Sequence, residues 1–184
     1  MNESLASASR TLIAGGLVAY PTEAVFGFGC VPWEHEAVTR LLSIKERSWE
    51  KGLPLIAASI DQIEPLIILP KGKMREEILN SWPGPFTWIL QAKTDNLPWI
   101  SGGRDTFAVR ITDHPIAKEL CTQVGAPLVS TSANRAGKPP LRRAHEVRRE
   151  FQTELDDIVD GKVGDLAEPT TIKDGRTGQT LRGS

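Results

Sequence analysis

Leu5, Ala8 and Leu12 recur at helical spacing through "ESLASASRTLIAGG" and stop at Gly15-Gly16, which predicts a short amphipathic helix with a glycine end. The apolar run "LVAY" behind it predicts a strand, and "PTEAVFGFGC" follows. A second helix is predicted from Glu34, where Val38, Leu41, Leu42 and Lys45 share a face and the apolar stripe delivers a group of cations at its C-terminal end. Next come a strand in "LPLIAA", helices in "DQIEPLI" and "KMREEILNSW", strands in "TWILQA" and "FAVRIT", and a helix in "HPIAKELCTQV" leading into the apolar strand "APLVSTS". The segment "GKPPLRRAHEVRRE" reads as a Pro-containing loop entering a charged helix. In the loop-rich tail, "TTIKD" and "QTLRG" are short strand candidates, and the end is expected to fold back over the domain.

Helices alternate with strands, which favours an α/β (α+β) layer structure. The mixing of polar and apolar positions in "TWILQA" and "FAVRIT" makes part of the sheet antiparallel, so the expected architecture is a single domain over residues 1–184 with a twisted, mixed parallel/antiparallel sheet flanked by helices. A length of 184 residues with 40% hydrophobic composition suits one sizeable core. No apolar run approaches the ~18 residues a bilayer crossing needs, and the polar start "MNESLASASR" is unlike a signal peptide, so a soluble, cytoplasmic protein is expected. The two cysteines, Cys30 and Cys121, have no ligand or Cys-x-x-Cys spacing and are read as buried thiols.

Charge narrows the chemistry. With 22 Lys+Arg against 23 Asp+Glu the formal charge is −1, so an anion site has to be built locally from converging cations. "SIKERSWEKG" gathers Lys45, Arg47 and Lys51 within seven positions and is a candidate for that. The phosphate-loop pattern G-x-x-x-x-G-K-[ST] is missing, and "FGFG" lacks the third glycine of a dinucleotide fingerprint. His35, His114 and His145 lie far apart without ligand-spaced companions and are read as surface or helix-capping residues, so no protein-built metal site is expected. No G-x-S-x-G surrounds Ser130 or Ser132. The arginines at 142, 143, 148 and 149 are either a solvated helix face or an RNA-binding patch.

What remains is a set of polar groups at strand ends, where α/β folds collect ligand contacts: "YPTE", "IKERSWEKG", "TFAVRIT" and "STSAN". Singly, each has an ordinary structural explanation, including an acid partner for Arg110. Together they offer cations for phosphates, hydroxyls for a polar small molecule, and an amide able to donate and accept.

In this order the residues resemble the YrdC/TsaC family of threonylcarbamoyl-adenylate synthases in its short single-domain form. The resemblance runs through "PTEAVFGFGC", the K-x-R of Lys45-Glu46-Arg47, "WPGPFTWIL", "AVRITDHP", and the S-x-N of Ser132-Ala133-Asn134. It departs from the common pattern at Phe26, Ser48 and Ala136, where many members have Tyr, Pro and Ser. The resemblance implies a YrdC-like fold with a concave cationic cleft and a nucleotidyltransferase that makes threonylcarbamoyl-AMP and pyrophosphate from L-threonine, bicarbonate and ATP. Its product would serve N6-threonylcarbamoyladenosine formation at position 37 of tRNA. Mg²⁺ would ride on the ATP, and the tRNA threonylcarbamoyl transferase complex would receive the adenylate. By the same resemblance, the catalytic anion-binding quartet is Lys45, Arg47, Ser132 and Asn134. Nucleotide contacts extend to Lys51, Thr106 and Arg182, and Thr22, Arg110, Ser130 and Thr170 face the amino acid. Two rivals remain open at this point: a non-enzymatic module binding double-stranded RNA or tRNA, and another carbamoyl-adenylate-forming reaction on the same fold.

Overall fold

A computed structural model describes residues 3–183. The chain begins α1 (Glu3–Ile13), β1 (Val18–Pro21), β2 (Phe26–Gly29) and α2 (His35–Ile44), then a 3-10 turn (Trp49–Lys51). It continues β3 (Leu55–Ala57), α3 (Ile60–Ile63), β4 (Ile67–Ile68), α4 (Lys73–Asn80), β5 (Phe86–Ala92), α5 (Pro98–Ser101) and β6 (Thr106–Ile111). The remainder is α6 (Pro115–Val124), β7 (Leu128–Val129), β8 (Thr131–Ser132), α7 (Ala144–Phe151), β9 (Asp157–Ile158), β10 (Thr171–Asp174) and β11 (Thr180–Arg182).

The strands form two mixed ladders. The larger runs β11-β10-β5-β6-β3-β7, with β4 added alongside β5, and the smaller runs β8-β2-β1-β9. Parallel pairs (β10 with β5, β3 with β6, β1 with β9) sit beside antiparallel ones, as the polar-apolar mixing of the strands anticipates. The two ladders meet along residues 128–132, where the chain leaves the larger at Val129 and joins the smaller at Thr131. Ser130 is the crossing point, and its N–H donates to the Pro54 carbonyl at 2.9 Å.

Helices cover both faces. Along β1 and the residue before it, Leu17 and Ala19 join the cluster of Phe28, Leu41, Leu55, Trp88 and Phe151, while Val18 and Tyr20 join the cluster of Leu12, Ile56, Leu120 and Leu128 beneath α1 and α6. A strand buried on both faces has no polar side to alternate with, which is why "LVAY" and "LPLIAA" read as continuous apolar runs. Gly29 belongs to this packing, because a Cβ there would lie 2.6 Å from the Tyr20 hydroxyl and 2.6 Å from the Val129 carbonyl.

Two elements differ from the expectation. The helix expected over "DQIEPLI" closes at Ile63, because Pro65 has no N–H to return to the Asp61 carbonyl, and Ile67–Ile68 pair with β5 instead. "FGFG" forms β2, paired in full with β1, so its glycines serve close strand packing. Cys30 and Cys121 are free and buried, with burial pushing both thiols up to about 12. His114 takes the N-cap position of α6, one of its two expected places, but it is buried there and not on the surface, with its Nε2 3.0 Å from the Lys162 carbonyl.

Candidate active site

A cleft of about 680 Å³ opens where the two ladders meet, and every residue of the expected quartet, nucleotide set and amino-acid set lines it. Elements far apart in sequence deliver them: the end of α2 and the 3-10 turn after it, the turn after β1, β6, the crossing at 130–134, the segment before β10, and the end of β11.

The end of α2 accounts for the cations. Lys45 closes the helix, and Glu46 then takes a left-handed conformation (φ 50°), with Arg47 N–H returning to the Leu42 carbonyl at 3.0 Å. That reversal keeps Lys45 buried and returns Arg47 to the same wall of the cleft. The Lys45 ammonium bonds the Ser132 carbonyl, the Asn134 carbonyl at 3.0 Å and Asn134 Oδ1 at 3.2 Å, which occupies its three donors. Ser132 Oγ donates to Asn134 Oδ1 at 2.7 Å, and Asn134 Nδ2 donates to the Arg135 and Lys138 carbonyls at 2.9 and 2.7 Å. K-x-R and S-x-N are therefore one hydrogen-bonded unit, further tied by the Ala136 N–H on the Lys45 carbonyl at 3.1 Å.

The electrostatics of this half are unbalanced. Among the described residues, Lys45, Arg47 and Lys51 take part in no ion pair. Burial, reinforced by Arg47, pulls the Lys45 ammonium down to about 8 from its ordinary 10.5. Burial and the neighbouring Arg182 likewise lower Arg47. Arg47 Nη2 donates to the Gly52 carbonyl at 3.0 Å, while its buried Nε has no partner. Desolvated cations without counter-charges are disfavoured until an anion arrives, so this wall is chemically suited to phosphate oxygens.

The other half is balanced. Arg110 on β6 forms a buried ion pair with Glu23, so the plain alternative of an acid partner holds alongside its place in the cleft wall. Thr22 Oγ donates to the Val25 carbonyl at 2.7 Å, leaving its lone pairs as acceptors. The hydroxyls of Thr170 and Thr87 lie 3.3 Å apart. Gly27 lets the strand approach the hydroxyl-bearing half closely, since a Cβ there would come to 3.3 Å from Ser130 Oγ and 3.4 Å from the Thr22 methyl.

Thr87, Thr131, Ser101 and Arg104 also line the cleft and were not singled out in the sequence. Thr87 had a signal: in β5, Thr87 and Ile89 face the cleft while Trp88 and Leu90 enter the core, the period-2 alternation of a strand. The arginine patch does not reach the cleft lining. Arg148 makes a two-point pair with Asp160 (2.8 and 2.7 Å), and Arg142 donates to the Leu166 carbonyl at 3.2 and 3.3 Å, so half of it supports the local fold.

Comparison with known proteins extends this picture. The Sua5/YciO/YrdC family model, described as "Telomere recombination", matches residues 10–184. A threonylcarbamoyl-AMP synthase of Nitrosococcus oceani is 49% identical over 175 residues, covering 95% of this chain and 95% of its own. The synthase of Halorhodospira halophila is 50% identical over 175 residues, covering 95% and 92%. Among solved structures, P. abyssi Sua5 complexed with L-threonine superposes with a TM-score of 0.83 at 34% identity over 92% of this chain, which spans about half (50%) of that longer protein. With the family model covering nearly the whole sequence and relatives near half identity along its length, the chain belongs to the Sua5/YciO/YrdC family.

Proposed function

We propose that this chain is a threonylcarbamoyl-AMP synthase, joining L-threonine, bicarbonate and ATP into threonylcarbamoyl-AMP and pyrophosphate. The observation that carries the reading is the two-part cleft, in which a cationic wall without ion pairs among the described residues adjoins a charge-balanced, hydroxyl-rich one. Its similarity to enzymes of that name supports it.

In this reading the triphosphate lies against Lys45, Arg47 and Lys51, with Ser132, Asn134, Thr106 and Arg182 around it. Lys45 acts in two ways: it holds the Ser132–Asn134 segment in shape, and it exchanges one of its carbonyl bonds for a phosphate oxygen when nucleotide enters. Arg47 requires less rearrangement, because its Nε already lacks a partner. Thr22, Arg110, Ser130 and Thr170 orient the amino acid. Threonine's amine condenses with bicarbonate to a carbamate with loss of water, and a carbamate oxygen then attacks the α-phosphorus, breaking its bond to the pyrophosphate, which leaves. Both partners are anionic, so neutralisation and alignment by the cationic wall supply most of the acceleration.

Mg²⁺ enters as part of the MgATP substrate. The lining offers cations and hydroxyls with Glu46 as its carboxylate among the described residues, a donor set suited to a metal held mainly by triphosphate oxygens. The adenylate then passes to the tRNA threonylcarbamoyl transferase complex for tRNA modification, in the cytoplasm. No helix among the described residues is long and apolar enough to cross a membrane. The test is pyrophosphate release from ATP with threonine and bicarbonate each omitted in turn. Release that persists without either one overturns the proposal.

A further inference from the structure

We propose that Glu23 is a positioning residue that sets the presentation of Arg110 to the amino acid. This rests on the reading of Arg110 as the group that meets the substrate carboxylate. Glu23 is 8% exposed and Arg110 6%, and only Arg110 lines the cleft. The two Glu23 oxygens have different partners: Oε2 is in ion-pair contact with Arg110 Nη1, without hydrogen-bond alignment, and Oε1 accepts from Thr112 Oγ at 2.6 Å and from the Asp113 N–H at 3.2 Å. Thr112 Oγ is itself oriented by the His114 N–H at 3.2 Å, so the carboxylate has little freedom to swing. Burial opposes the Glu23 charge, but Arg110 and the Thr112 hydroxyl outweigh it and hold the carboxyl below its ordinary range.

The backbone adds to this. The Thr22 carbonyl accepts from Gly164 N–H at 2.9 Å and the Glu23 carbonyl from Leu166 N–H at 3.2 Å, fixing the turn that carries both side chains. A guanidinium is a planar fork, so pinning one nitrogen from behind sets the plane in which the other N–H groups meet a ligand. The pairing also sorts the substrates. Arg110 offers geometry with its charge already matched, whereas Lys45 and Arg47 offer unmatched charge, which directs the polyanionic triphosphate to their side.

The experiment measures pyrophosphate release for Glu23→Gln, Glu23→Asp, Arg110→Gln and the Glu23→Gln/Arg110→Gln double variant. Threonine is varied at saturating ATP and bicarbonate, then ATP at saturating threonine, with melting recorded throughout. Glu23→Gln is expected to raise KM for threonine about 10–100-fold, the usual effect of losing a residue that supports a contact group, with KM for ATP within about twofold. Glu23→Asp keeps the charge on a shorter arm and recovers part of the loss. The double variant should bind threonine no worse than Arg110→Gln, because Glu23 acts through that arginine. Equal effects on both KM values, or full additivity in the double variant, overturns the positioning role. If Arg110→Gln leaves KM for threonine unchanged, the assignment of Arg110 fails and the proposal with it, a result distinct from failure at Glu23 alone. Should Glu23→Gln unfold at assay temperature, Glu23→Asp decides: an unchanged threonine KM there overturns the proposal.

Discussion

Lys45 and Arg47 stand two positions apart and face one cleft, yet they differ in what the fold asks of them. Lys45 holds two carbonyls and an amide oxygen of the 132–134 segment, so Lys45→Ala is expected to cost about 1–3 kcal/mol of stability through unsatisfied acceptors, besides a ~10²–10³ loss in turnover. Among the described residues the Arg47 side chain bonds only the Gly52 carbonyl, so Arg47→Ala should lose turnover similarly while melting within about 2 °C of the parent. Pyrophosphate kinetics and thermal melts on both variants check this, and near-parental turnover in both removes the phosphate role. Lys45 also sets a pH dependence. Its folded pKa near 8 lies below the ordinary 10.5, so between these values the unfolded chain holds the extra proton, and this group makes stability rise with pH across that window. In the proposed reading, bound triphosphate restores the charged form. ATP binding at pH 8.5 is therefore expected to take up protons, seen as a calorimetric enthalpy that varies with the buffer's ionisation heat; at pH 6.5, or in Lys45→Ala, that variation should shrink. The motif residues were legible because K-x-R and S-x-N stand in order along the chain. Glu23 was not, since a carboxylate in a turn looks the same in sequence whether solvated or buried against an arginine.

At the scale of elements, apolar periodicity located most helices and the longer strands because burial acts on whole faces. It failed where a local rule or a tertiary partner decided the outcome. Pro65 divides "DQIEPLI" because it has no N–H to extend the helical ladder, and two-residue strands such as β9 carry too few positions for any period. Glycines hid β2, although their lack of a side chain is what the packing requires. Gly29→Ala is accordingly expected to destabilise by about 1–3 kcal/mol through overpacking against Tyr20 and Val129, several degrees in a thermal melt. Because β7 and β8 continue directly into the S-x-N segment, the variant should also disturb ATP affinity. Unchanged melting would mean that β1 and the 128–132 crossing separate more easily than their packing implies.

Across the whole molecule, a formal charge of −1 conceals two unlike walls, one with unpaired cations and one whose arginine is already matched by Glu23. Composition could exclude a generic polyanion binder but could not show that division, which depends on strands from two ladders meeting at Ser130. In the proposed reading the balanced wall leaves amino-acid selection to hydrogen bonding and shape. Thr22 Oγ donates to Val25 and so presents acceptor lone pairs, Ser130 stands at the crossing, and Thr170 is paired with Thr87, which places several hydroxyl groups within one half of the cleft. A site built to bond a substrate hydroxyl discriminates strongly against the isostere lacking it, because its own groups are left unpaired. Valine is thus expected to fall by ~10³ or more in kcat/KM relative to threonine, whereas serine, short by one methyl, should fall by only ~10–200-fold. Competition among threonine, serine and valine for pyrophosphate release at saturating ATP and bicarbonate measures both ratios. Should valine match or exceed serine, the pocket selects by shape, and Thr22, Ser130 and Thr170 do not read the threonine hydroxyl.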